Sequence, residues 1–136
     1  FADNVEDSMG HLRFIVFYLL CGVAAVLAQS LPDVTSQVPM IGASGAISGV
    51  LRAYLLLFPR TRVLVMIPLG YFMKAHYLPA AVVLGFYFVL QIVMTAMTPA
   101  GGGGVAFAAH LGGFVAGAAL IVVFKHRRVP LLSKRR

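Results

Sequence analysis

The chain has 136 residues, 60% of them hydrophobic and only 11% charged, with a mean hydropathy of +0.93. Too few polar groups are present to coat a water-soluble globule of this size, so the composition excludes a soluble enzyme and points to a membrane protein. The net charge of +7 does not mark a nucleic-acid binder, because the basic residues punctuate apolar runs and do not form one face of a soluble domain.

The chain opens on Phe1, with no initiator Met and no basic stretch ahead of an apolar core, so no signal peptide is read and the natural protein is expected to extend upstream. Residues 1–136 are therefore read as one membrane domain truncated at its N-terminus. Residues 1–10 hold Asp3, Glu6 and Asp7 and read as a polar juxtamembrane segment. Span one covers 11–29, close to the ~20 residues that cross a bilayer as a helix. Cys21 lies inside it as the only cysteine, without an internal disulfide partner, and reads as a small packing residue. Residues 30–40 include Pro32, Asp33, Thr35, Ser36 and Pro39, whose turn-forming backbone and polar groups belong in water.

Span two covers 41–58 and closes at Pro59-Arg60-Thr61-Arg62. Arg52 falls inside it, where its long side chain is expected to snorkel toward the interface or to pair with a helix carbonyl. Residues 63–77 are apolar but broken by Pro68, Gly70 and Lys74, and read as an interfacial or re-entrant connection. Span three covers 78–97, with Pro79 in its first turn and Gln91 its one strongly polar side chain. The run Gly101 to Gly104 then forms a loop, span four covers 105–124, and a basic tail occupies 125–136.

Charge fixes the expected orientation. Arg13, Arg60, Arg62, Lys74 and the tail fall at the start of span one, between spans two and three, and after span four, whereas the other two loops carry no Lys or Arg. Four crossings put those three segments on one side, and the excess of positive charge assigns that side to the cytoplasm.

One stretch carries a candidate nucleophile. Gly42-Ala43-Ser44-Gly45-Ala46-Ile47-Ser48-Gly49 sets Ser44 among small residues at the start of span two. Such residues let a second backbone approach closely, and their simplest use is helix packing. Span four opens with His110 among a matching set, Gly112, Gly113 and Gly117. Both spans run the same way, so Ser44 and His110 share a depth and can meet. A serine and a histidine together support acyl transfer, the imidazole removing the hydroxyl proton and returning it to the leaving amine. Of the four acids, three lie on the inner side and Asp33 lies in an outer loop, which leaves a dyad and no triad. No His-Glu-x-x-His spacing occurs, so no metal and no other cofactor is implied.

Gly42-Ala43-Ser44-Gly45, together with Ala109-His110-Leu111-Gly112-Gly113-Phe114-Val115-Ala116-Gly117, resembles the paired motifs of the rhomboid intramembrane serine proteases. Phe1 to Gln29 also resembles the family segment leading from its second helix into its third, so the chain is similar to the C-terminal two-thirds of a bacterial rhomboid. The resemblance implies an all-α, polytopic membrane bundle whose four transmembrane helices correspond to helices three to six of that fold. It implies Ser44 as nucleophile and His110 as base, with Gly42, Gly45, Gly49, Gly113 and Gly117 serving the oxyanion backbone or close packing. It further implies single-span membrane proteins as substrates, a bilayer as surroundings, a bacterial inner membrane as location, and neither nucleic acid nor metal as partner. Where some relatives carry an aromatic residue four positions after the nucleophile, this chain has Ser48. A catalytically silent relative that binds membrane helices is the competing expectation.

Overall fold

The computed structural model describes residues 1–31, 43–69, 72–97 and 107–132. Its first helix, α1 (Ala2–Met9), ends at Gly10, whose φ of 89° lies where side chains are disfavoured and lets the chain turn directly into α2 (His11–Ser30). The residues read as a polar segment thus form a helix that buries Val5, Ser8 and Met9. α3 (Ala43–Leu57) stops where Pro59 forbids its neighbour a helical continuation, and the Phe58 N–H closes the last turn on the Tyr54 carbonyl at 2.7 Å.

Residues between α3 and the next helix form an antiparallel hairpin of β1 (Arg62–Leu69) and β2 (Phe72–Pro79), in register from Arg62 opposite Pro79 to Leu69 opposite Phe72. Val63, Val65 and Ile67 recur at alternate positions, a spacing that suits β-branched residues to a pleated strand. Pro68 is accommodated because each strand of a two-stranded sheet keeps an open edge. At the base, the Ala80 N–H donates to the Thr61 carbonyl at 2.8 Å and hands the chain to α4 (Ala80–Met97). α5 (Phe107–Phe124) follows.

The fold is mostly helical, and one feature corrects the expectation from sequence. The hairpin makes the chain not wholly α: 63–77 is apolar like the helices around it, but its β-branched alternation favours strands and Pro68 disfavours a helix running through it. Leu78 and Pro79 accordingly belong to β2 and not to a third span. Among the described residues, one helix, His11–Ser30, is by itself long and apolar enough to cross a membrane. α3 is too short for that at 15 residues, and the apolar runs Ala80–Val93 and Ala108–Phe124 also fall short, so helix length does not carry the count of four crossings. The loops at 32–42 and 98–106 lie outside the described residues, as do Gly42 and the run Gly101 to Gly104.

The core is the contact of α2, α3 and α5. Phe17 and Cys21 of α2 pack with Ala46, Val50, Ala53, Tyr54 and Leu57 of α3 and with Ile121 of α5. Val5 and Met9 close it beneath, and Ala80 and Leu84 attach α4, which meets α3 and α5 much more sparsely than those two meet each other. The outer surface is strongly apolar: Leu12, Phe86 and Val123 are each more than two-thirds exposed. Such breadth of exposed hydrocarbon is what lipid covers.

Glycine sets the distance between α3 and α5. A methyl group added at Gly113 would run into the Gly45 backbone, and one at Gly117 into the Gly49 backbone. The pairing rises in step along both chains, so the helices are parallel. α2 runs the other way, since Gly45 meets Ala25 while Gly49 meets Cys21. Overpacking a core typically costs ~1–3 kcal/mol, and Gly113→Ala should destabilise by at least that much because its obstruction is backbone, which cannot rotate aside. At Gly85 an added methyl meets nothing within 4 Å. Gly85→Ala should therefore stabilise, by up to ~1 kcal/mol through helix propensity. Denaturant unfolding in detergent, followed by circular dichroism, checks both; equal midpoints would contradict the crossing.

Candidate active site

Ser44 is the second residue of α3 and is exposed, in the first helical turn, whose N–H groups point out past the helix end. His110 is the fourth residue of α5 and is only 5% exposed. The glycine crossing relates the two. A methyl on Gly45 would lie 3.2 Å from the Ala109 carbonyl oxygen, so the residue after Ser44 touches the residue before His110. Gly113, one turn below His110, seats on Gly45 itself. Ser44 and His110 thus occupy adjoining first turns of two parallel helices that begin at the same end of the bundle.

Polar contacts around these turns are few. Ser48 is buried and its Oγ donates to the Ser44 carbonyl at 3.1 Å, one turn back along α3. His110 Nδ1 is buried and finds no hydrogen-bond partner among the described residues. The described acids stand elsewhere: Glu6 Oε1 meets His11 Nδ1 at 2.5 Å, and α1 is tied to the far end of α5 by the His126 N–H donating to the Ser8 carbonyl at 2.8 Å. That end is ~20 Å from His110 at the rise of an α-helix. No group of His, Cys, Asp and Glu among the described residues could hold a metal.

Two contributors escape a reading of the sequence. Gln29, in the last turn of α2, accepts the Ala109 N–H on its Oε1 at 3.2 Å. This is a cap supplied by a neighbouring helix: Ala109 lies in the first turn of α5, where N–H groups lack intrahelical acceptors, and the bond anchors the turn that carries His110. A lone amide closing an apolar span was the only signal for it. Gly112 adds to the same seam, since a methyl there would strike Ala28 and the Ala24 carbonyl.

The second is Arg52, two turns below Ser44. Its guanidinium carbon lies 4.6 Å from the centre of the Phe114 ring, and Phe114 meets Phe88 of α4 edge to face at 4.5 Å. Arg52 therefore lies against α5, on the face of the Phe114 ring. Phe114 lies one turn below His110, so the cation and ring form a floor beneath the histidine turn and join α3, α5 and α4.

A family model described as the Rhomboid domain matches residues 1–127. No curated protein and no solved structure matches the chain.

The cation–π pair has a measurable strength, ~2 kcal/mol when desolvated. Phe114→Leu should lower stability, and Arg52→Met alone should be close to neutral, because replacing a half-buried charge with an apolar chain of similar length removes part of its desolvation cost. In the double variant the loss from Phe114→Leu should shrink. A double-mutant cycle on unfolding free energy reads the coupling directly, and a coupling of zero would contradict the contact.

Proposed function

This chain belongs to the rhomboid family, which makes it a membrane protein, and from that premise we propose that it is an intramembrane serine endopeptidase working through Ser44 and His110. The observation that carries the reading is the contact of Gly45 with Ala109 and Gly113, which joins the turns bearing those two side chains. Ser44 Oγ attacks the scissile carbonyl carbon while the His110 imidazole takes its proton. The tetrahedral intermediate collapses as His110 returns that proton to the leaving amine, and a water deprotonated by the same imidazole then frees the acyl group from Ser44. Backbone N–H groups around Ser44 are the donors for the developing oxyanion, while Gly45 serves the close packing that seats Ser44 beside the His110 turn. Among the described residues no carboxylate stands near His110, and its orientation rests on packing and on the Gln29 anchor of its turn.

In this reading α2, α3, α4 and α5, each with its flanking loop residues, make four crossings of a bacterial inner membrane, with both the hairpin and residues 125–136 in the cytoplasm. The substrate is a single-span membrane protein cut near its outer boundary, where the helix unwinds most readily. Neither a metal nor another cofactor enters the chemistry.

Ser44→Ala and His110→Ala should each abolish cleavage of a single-span substrate in proteoliposomes, while leaving the fold intact by circular dichroism. Cleavage that survives Ser44→Ala would end the proposal; binding of a membrane helix with no cleavage by the unsubstituted protein would favour a silent helix-binding relative. Gln29→Leu should lower kcat more than it raises KM, because it loosens the base and not the substrate contacts. Single-turnover and steady-state assays together separate the two effects.

Topology is tested independently. In sealed right-side-out vesicles, an impermeant thiol reagent should label Ser36→Cys and leave Ser133→Cys unlabelled until the membrane is opened. The reverse pattern would invert the assignment. Cys21 is buried and should stay silent in both.

A further inference from the structure

The β1–β2 hairpin has two unlike faces, and only one of them is explained by the fold. Alternation puts Val63, Val65, His76 and Leu78 on one face, as the cross-strand pairs Val63 with Leu78 and Val65 with His76 require. Val63 packs on the helical core at the hairpin base, and Lys74 and His76 are exposed farther out. The other face carries Leu64 opposite Tyr77 and Met66 opposite Ala75. Those residues are uncovered: Leu64 is 49% exposed, Met66 56% and Tyr77 68%. A two-stranded hairpin is marginal by itself in water, and one with a bare apolar face is more so.

We propose that this face is a membrane-surface anchor: Leu64, Met66 and Tyr77 sit in the outer hydrocarbon and headgroup boundary, while Lys74 and His76 on the opposite face meet lipid phosphates. The occupant is a lipid interface, and three observations favour it over a second protein. The hairpin leaves the bundle where α3 ends and α4 begins, held there by the Ala80 to Thr61 hydrogen bond, so it starts at the helix ends, where a headgroup layer lies. Its base carries exposed Arg60 and Arg62, a cationic surround matched to anionic lipid. Tyr77 pairs an apolar ring with a polar tip, the chemistry enriched at that boundary. Burial of one apolar face with charges on the other is the arrangement by which amphipathic elements lie in an interface. The inference needs the chain to reside in a bilayer and does not depend on Ser44 or His110 doing any chemistry, so it can fail or hold independently of the protease reading.

The chain has no tryptophan, so one introduced residue reports alone. The 136-residue chain carrying Tyr77→Trp is reconstituted in phosphatidylcholine and phosphatidylglycerol vesicles, beside a second sample carrying His76→Trp from the opposite face. Expected for Tyr77→Trp is blue-shifted emission, strong quenching by lipids brominated near the headgroup end of the chain, and protection from aqueous acrylamide. His76→Trp should show the converse. Leu64→Trp, across the strand from Tyr77, must follow Tyr77→Trp, which guards against a local disturbance at either site. Adding Lys74→Glu to Tyr77→Trp should weaken the acrylamide protection in these anionic vesicles. Equal behaviour of the two faces overturns the proposal. So does protection without bromine quenching that grows with the protein-to-lipid ratio, since that is the signature of a second copy covering the face. Protection unchanged by Lys74→Glu overturns the assignment of the opposite face to headgroups.

Discussion

Everything in this bundle depends on how closely two backbones can approach where α3 crosses α5. Gly45 with Gly113 and Gly49 with Gly117 remove the four side chains that would hold the helices apart. Within a bilayer, apolar side chains gain little by leaving lipid for protein, so helices associate through close van der Waals contact, and small residues are the means. The third wall of the crossing is α2, where Cys21, Ala25 and Ala28 fill the space that the glycines leave. Cys21 thus acts as a small apolar spacer whose thiol is covered by Gly49.

That crossing also ranks the elements by how firmly they are held. α2, α3 and α5 share a continuous core, whereas α4 joins through Ala80 and Leu84 at one end and the Phe88 to Phe114 ring contact midway. Arg52 beneath the Phe114 ring belongs to the same joint. A cation inside an apolar helix is costly unless something accommodates it, and here the face of an aromatic ring does so. Among the described residues, α4 is therefore the most sparsely packed of the four long helices, and the pair that carries Ser44 and His110 is among the most closely packed.

Much of this could be read from residue spacing. Two runs of small residues at intervals of four, each beside a residue capable of chemistry, identify the surfaces that meet, because the helical period puts such positions on one face. The helix end near Pro59 was legible because one residue's backbone preference decides it, whereas the short helix ending at Gly10 reads in sequence only as a polar segment. The hairpin was not legible, since a short apolar run has no polar partner residues to expose its period, and strand and membrane segment look alike there. Gln29 and Arg52 were hidden for a different reason. Each takes its role from a residue far along the chain, Ala109 and Phe114, and that pairing exists only once the rotation of each helix about its axis is set.

The parallel course of α3 and α5 has an electrostatic consequence. Each helix carries a dipole equivalent to roughly half a positive charge at its N-terminus. Antiparallel neighbours largely cancel, but these two begin at the same end, and the glycines that let them touch also bring their positive poles together. Ser44 and His110 sit in those first turns. In a poorly screened, lipid-surrounded setting, the two fields add at the mouth of the crossing and favour negative charge there. Under the protease reading proposed above, a carbonyl oxygen taking on charge at that spot would meet a potential already supplied by main chain.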